Sequence, residues 1–362
     1  MITIKKILKY KKLILLIIII IIISLYTLFK NMDKFVENFV EPDYNVIISN
    51  WDNGSGFYSE LGFKLNHYLY CKKYNIDFKT EIHNWPYTFK DGWIDYFEDV
   101  KLNYDKNEGE VVNTKIISGC CTILEQFPLK DYVNIIPEYY KYNKKTQVFI
   151  NYIKNKLGLI NKEYGSIYIR RGDKLVNEIE FIPASKFVDL LLQKYPDCKV
   201  IFVQTDDYNS YLDVKKHIHN ELKKPNIKIL TLCPETSFGA IANSSYTEQM
   251  KSNQITTLKE GIEILNDNKK YIENIKNNLS KPIADMTLQE KYDHTMELLT
   301  SVDICINSKY CVCDYKSNVS RFIKIAHNNF NNVFDVNNMD SKISLDSKLC
   351  PAFDFDSKHQ NI

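Results

Sequence analysis

From residue 165 onward, short apolar runs alternate with amphipathic stretches, the pattern of a parallel sheet with helical crossovers. Residues 166–169 predict a buried strand, and 184–194 a helix with Pro183 near its start. Residues 200–204 predict a second strand, ending in Thr205-Asp206-Asp207, and 228–232 a third, before Cys233-Pro234. A helix is expected over 255–265, then an Asn/Lys-rich insertion over 266–292, helical in part. Residues 295–302 read as a helix leading into a strand at 304–307, followed by a helix at 322–328 and a closing strand at 333–336. The first half is less regular. Residues 46–49 predict a strand, Asn53-Gly54-Ser55-Gly56 a turn or anion-binding loop, and 58–74 a helix. Leu61, Leu65, Tyr68 and Leu69 share one face of that helix, where His67 is expected packed and hydrogen-bonded. Residues 101–115 read as a polar surface loop, and Pro128 and Pro137 bracket a poorly periodic stretch. Residues 144–157 predict a helix, with Gly158 as its C-cap. No repeat, heptad or P-loop is evident.

One run departs from this pattern. Leu13 to Phe29 is almost wholly Ile and Leu, preceded by Lys5, Lys6, Lys9, Lys11 and Lys12. At 1.5 Å per residue it spans about 25 Å as a helix, the short end for a bilayer. No small-residue cleavage site follows, so the run reads as an uncleaved signal-anchor with cytoplasmic lysines. The expected organisation is a cytoplasmic tail (1–12), a transmembrane anchor (13–29), a short stem (30–45), an α/β unit (46–160) and a nucleotide-binding unit (161–362). The body would be luminal, in the endoplasmic reticulum or Golgi of a type II membrane protein.

Composition narrows the function little. Formal net charge is +2, from 47 basic and 45 acidic residues, which argues against a general nucleic-acid binder. The 9 cysteines lack paired zinc-ligand spacing, so no metal site is expected. Asn53, Asn243, Asn278 and Asn318 carry the N-glycosylation pattern; a glycan on Asn53 or Asn318 would crowd suspected site loops. Residues 82–98, rich in aromatics, are either irregular core or a wall for stacking an acceptor sugar.

The candidate chemistry gathers where the strand at 166–169 meets Arg170-Arg171-Gly172-Asp173-Lys174. Ligands of open α/β sheets bind at that edge. Guanidinium groups form forked, charge-assisted bonds with diphosphates. Gly172 permits a tight turn or close backbone approach. Asp206 and Asp207 end the neighbouring strand and are either ribose or base acceptors or caps of a turn or helix.

The pieces YIRRGDKLVNE, FVQTDD, TSVDICIN and SNVSR, in that order, resemble the α1,6-fucosyltransferase family, which includes core N-glycan and Nod-factor enzymes. The likeness covers about residues 163–336, with insertions near 266–292 and 308–316. A fainter match is GFYSELGFKLNHYLYC. The resemblance implies a GT-B-like fold with a Rossmann-like C-terminal domain, and metal-free, inverting transfer of fucose from GDP-fucose. It implies that Arg170 grips the β-phosphate, with Arg171, Asp173 and Lys174 in the same loop. It places Glu178 as the catalytic carboxylate, Asp206 and Asp207 at the donor's ribose or guanine, and Ser317 and Arg321 near the diphosphate. Tyr168 stands where the family often has histidine, and Gly172 where it has threonine. A further family aspartate falls near Thr295, between Asp293 and Glu297.

Glu178 would take the acceptor proton while Arg170 and Lys174 stabilise the leaving diphosphate. Glu178 is alternatively an ion-pair partner of Lys174. The expected partners are a GDP-sugar, a glycan or glycoprotein acceptor and the bilayer; a homodimer remains open. The competing functions are transfer from another GDP-hexose, and an inactive glycan- or nucleotide-sugar-binding protein of the same fold.

Overall fold

The computed structural model describes residues 44–51, 56–82, 85–104, 113–118, 126–172, 174–177, 181–240, 283–338 and 343–346. Two parallel sheets organise the chain. The first has the order β2-β1-β3, from β1 (Val46–Trp51), β2 (Asp77–Ile82) and β3 (Thr114–Ser118). Helix α1 (Phe57–Tyr74) crosses from β1 to β2; Asn75, in the left-handed region at φ 52°, ends it. Helices α2 (Leu129–Tyr139) and α3 (Lys144–Leu157) then lead to the second sheet. Asn143 caps α3 through the Thr146 N–H, and Gly158 closes it at φ 71°, as expected from the sequence.

The second sheet has the order β6-β5-β4-β7-β8, every pairing parallel. It comprises β4 (Gly165–Ile169), β5 (Val200–Thr205), β6 (Lys228–Leu230), β7 (Tyr310–Cys313) and β8 (Val333–Asp335). A single charged turn of helix, α4 (Lys174–Asn177), follows β4. Helices α5 (Ala184–Lys194) and α6 (Tyr208–Lys216) cover one face, sharing a core with Ile167, Ile169, Ile201 and Val203. Helices α7 (Leu288–Ile306) and α8 (Asn318–Ala326) pack with Tyr168 and Phe202 in the other core. Central strand β4 is buried throughout, as a strand covered on both faces must be. The α/β class with parallel sheets is therefore plain.

Several expectations are corrected. Residues 304–307 are not a strand: α7 runs through Ile306, and the strand is β7, within the stretch expected as an insertion at 308–316. Val302, Ile304 and Ile306 alternate like a strand, but Leu299, Val302, Cys305 and Ile306 recur at helical spacing and are all buried. A Thr287–Glu290 capping box starts α7 inside the expected 266–292 insertion. The helix expected at 322–328 starts earlier, at Asn318. The stretch between Pro128 and Pro137 is α2, and Pro137 lies within the helix itself. Strands β2 and β3 were not anticipated.

Of the 82–98 stretch, Ile82 ends β2 and residues 85–98 are irregular core rather than an exposed wall. Trp85, Tyr87, Trp93, Tyr96 and Phe97 are buried, with the Trp93 and Phe97 rings stacked at 4.0 Å. The Asp95 carboxylate accepts the N–H groups of Phe89, Lys90, Asp91 and Gly92, satisfying the backbone of this turn. His67 is buried and shares a 2.8 Å hydrogen bond with Ser49, as its apolar setting predicts.

The anchor (13–29), the 53–56 loop apart from Gly56, the 255–265 helix and the acceptors Asn53, Asn243 and Asn278 lie outside the described residues. Among the described residues, no helix is long and apolar enough to cross a membrane.

Candidate functional site

Parallel strands place their C-terminal ends along one edge, so the loops after β4, β5, β6 and β7 converge there. Asp206 ties three of them. Its carboxylate accepts the backbone N–H of Arg171 at 2.7 Å and of Ala240 at 2.8 Å, and pairs with the Arg170 guanidinium. The Asp206 carbonyl accepts the Gly239 N–H at 2.8 Å. Gly172 (φ 61°) and Gly239 (φ 94°) face each other across this junction. A Cβ on Gly172 would strike the Ala240 carbonyl oxygen and stand 2.6 Å from the Ala240 nitrogen. Glycine is thus required at position 172 for both its backbone conformation and the close approach.

The two arginines separate in role. Arg170 lies at the edge, its guanidinium oriented by Asp206 and by the Ala240 carbonyl at 3.4 Å. Arg171 is buried: it donates to Ser210 Oγ at 3.2 Å and to the Ile182 carbonyl at 2.7 Å, and its guanidinium stacks on Phe181 at 4.4 Å. It fastens the loop to α5 and α6 rather than presenting a donor to the edge.

Asp207 likewise turns inward. Its oxygens accept the N–H groups of Asn209 and Ser210, capping α6, and the Ser210 hydroxyl at 2.9 Å. Of the open alternatives for this residue, the helix cap is what the structure displays. Asp206 orients Arg170, so both aspartates act through protein contacts.

The buried Tyr168 hydroxyl shares a 3.3 Å hydrogen bond with Ser317, which stands at the N-terminus of α8. Burial pushes the phenol up to about 12, partly offset by the Arg170 charge and the Ser317 bond, so it remains protonated at neutral pH. Arg321 donates to the Tyr315 carbonyl at 2.6 Å and to Asn318 Oδ1 at 3.3 Å, bracing the turn that leads into α8. Lys174 begins α4, two residues beyond Gly172. The Arg170 guanidinium, the Ser317 hydroxyl and the first N–H groups of α8 are therefore hydrogen-bond donors along one sheet edge, with α4 and its Lys174 following β4. Asp173 and Glu178 lie outside the described residues.

No family model matches the chain, and no curated protein matches its sequence. Among solved structures it is similar to a NodZ alpha-1,6-fucosyltransferase soaked with GDP-fucose, at 9% identity and a TM-score of 0.48, covering 83% of this chain and 98% of that one. It is also similar to the fucosyltransferase NodZ from Bradyrhizobium, at 10% identity and a TM-score of 0.42, covering 83% and 97%. Overlaps this low leave function to be argued from the side chains.

Two of those side chains belong to α7. His294 lies close enough to Arg170 for the cation, added to burial, to hold its imidazole below the usual histidine range. Glu297 is three residues along the same helix, and burial raises its carboxyl to about 7. Neither forms a hydrogen bond or ion pair with another described residue. Thr295, the nearest sequence match to the family aspartate, is buried and bonded to the Lys291 carbonyl at 2.7 Å; Asp293 is exposed and pairs with Gln289. His294 lies outside the family-like motifs. Helical i, i+3 spacing on an element packed against β4 and β5 was the available signal. Among the described residues, no group of three or more His, Cys, Asp or Glu is arranged to hold a metal ion.

The Glu297 shift predicts a pH effect on stability. Between about pH 4.5 and 7 the folded chain retains a proton that the unfolded chain has released, so stability falls as pH rises through that window. A shift of this size corresponds to about 2–3 kcal/mol after allowance for solvent. Glu297→Gln is therefore expected to flatten urea stability between pH 5 and 7 and to raise it at pH 8 by about 2 kcal/mol. An unchanged pH profile would remove Glu297 as a group that titrates with folding.

Proposed function

We propose that the protein is a membrane-anchored, GT-B-like inverting glycosyltransferase that transfers fucose from GDP-fucose to a glycan hydroxyl without metal. The observation carrying this reading is the positive edge after β4, where Asp206 orients Arg170 beside the Tyr168–Ser317 pair and the α8 N-terminus. A departing nucleoside diphosphate needs fixed positive charge, and preorganised donors provide it without moving during reaction. In this reading Arg170 meets the β-phosphate, Lys174 the same developing charge, and Ser317 and the first N–H groups of α8 the adjoining oxygens. Arg171, Asp206, Asp207 and Arg321 hold those groups in place. Glu178, five residues beyond Asp173, takes the proton of the attacking hydroxyl. Asp173 supports the arginine loop, and Leu13–Phe29 anchors the chain with its body in the lumen of the Golgi or endoplasmic reticulum.

The test is a panel of GDP-sugars offered to the full chain in detergent, with and without EDTA. Sugar transfer or donor hydrolysis from GDP-fucose is expected to persist in EDTA. Turnover of another GDP-hexose instead would change the donor and keep the site. GDP binding without turnover of any donor would replace the enzyme by a nucleotide-sugar-binding protein.

A further inference from the structure

Helix α3 presents an unusual outer face. An amphipathic helix buries its apolar side, and α3 does so beside α7 with Ile150, fully enclosed. Yet Val148 and Tyr152, one turn apart on the opposite side, are each 61% exposed. Phe149 (39%) and Ile160 (42%), just beyond the helix end, are also exposed. Around it stand exposed Lys144 and Lys156, with Lys162 beyond Gly158, while Lys145 sets its ammonium 4.6 Å from the Tyr292 ring of α7. The sequence KKTQVFINYIKNKL contains no carboxylate, and its remaining lysine, Lys154, turns inward to pair with Asp303 at 3.0 Å.

Exposed Gln147, Asn151 and Asn155 share this side of the helix with Val148 and Tyr152, so the face is apolar at two positions, uncharged or basic at the others, and carries no carboxylate. An apolar centre rimmed by lysines suits the boundary between headgroups and acyl chains. There the ring and aliphatic groups enter the apolar layer while the lysine stems reach up to phosphates. The chain also limits what this face can meet. Only residues 30–43 separate the apolar run ending at Phe29 from Tyr44, a reach of at most about 50 Å when fully extended. A body tethered so closely spends its time beside the bilayer surface.

We infer that the Val148–Tyr152 face of α3 lies on the phospholipid headgroup surface, with Lys144 and Lys156 contacting lipid phosphates. This rests on the anchor reading of Leu13–Phe29 under the proposed function. It adds an orientation: the body is held against the membrane rather than hanging from its stem.

The test uses the full chain reconstituted in phosphatidylcholine vesicles, with and without phosphatidylserine, carrying brominated acyl chains. Tyr152→Trp places an indole at the centre of the face, and Leu212→Trp places one on α6, across the second sheet; Leu212 is also exposed, at 44%. The native Trp51, Trp85 and Trp93 are buried and supply the background, subtracted using the unsubstituted protein. With an insertion depth of about 5–10 Å, the bromines are expected to remove about half of the new emission in Tyr152→Trp and little in Leu212→Trp. Adding K144E and K156E, both at exposed positions, is expected to reverse that loss, most strongly with phosphatidylserine present.

Extraction at alkaline pH reads the anchor separately. Chains that resist extraction but show equal quenching at the two probes would overturn the α3 contact and leave the anchor standing. Complete extraction would remove the anchor and, with it, the tether behind this inference. Emission that changes with protein density instead of with bromination would assign the face to a second copy of the chain and overturn the lipid contact.

Discussion

Arg170→Ala is expected to lower kcat for sugar transfer by about a hundred- to a thousand-fold while leaving the chain folded. That magnitude is typical of deleting one preorganised donor from a developing negative charge in a sheltered site. The structure explains why the fold should survive. Asp206 loses its guanidinium partner but keeps the Arg171 and Ala240 N–H groups, so its carboxylate is not left bare. The junction between the loops after β4 and β6 loses the Arg170 contact with the Ala240 carbonyl but keeps those two bonds and the Gly172–Gly239 approach. Arg170→Lys keeps the charge but not the fork that Asp206 orients, and should recover only part of the rate. Rates would be measured at saturating donor, with circular dichroism confirming the fold. A folded Arg170→Ala protein with unaltered turnover would end the assignment of this edge as the diphosphate site.

The same edge shows how far the sequence could be read. The strand over 166–169, its position before the charged loop and the close approach at Gly172 were all legible, because burial on both faces and glycine chemistry leave local marks. The cap at Gly158 and the packing of His67 were legible for the same reason. What the sequence left open was the direction of polar side chains. Arg170 and Arg171 are adjacent and chemically identical, yet one stands at the edge and the other is buried. That division follows from Ile182 and Ser210, distant in sequence. Asp206 and Asp207 divide similarly, and only the start of α6 reveals which one caps it.

The misplaced strand at 304–307 has another cause. An apolar stretch buried on every side loses the polar face that distinguishes a helix from a strand, so alternation appears by chance. The stretch is enclosed between the second sheet and its neighbouring helices, with Lys154 of α3 pairing to Asp303. The aromatic run at 82–98 had no period to follow. It is held by ring packing among Trp51, Trp85 and Trp93 and by the Asp95 carboxylate, contacts that composition alone does not predict.

Arg171→Ala should give the opposite result to its neighbour: a loss of about 3 kcal/mol of stability, with a much smaller loss of turnover per folded molecule than in Arg170→Ala. Arg171 is 3% exposed, and its guanidinium is held by a hydroxyl, the Ile182 carbonyl and the Phe181 ring. Truncation leaves a void and strands the buried Ile182 carbonyl, a penalty of about 1–3 kcal/mol before the lost packing is added. It also removes the cation that draws down the carboxyl of Asp213, already raised by burial. The consequence is a larger upward shift at Asp213 and a further loss of stability as pH rises past it. The change should appear as a lower urea midpoint at unchanged m-value, since the surface exposed on unfolding is nearly the same. A variant with the wild-type midpoint and the rate loss expected of Arg170→Ala would mean that Arg171, not its neighbour, faces the ligand. The two substitutions together therefore decide which arginine of the pair does chemistry and which holds the loop.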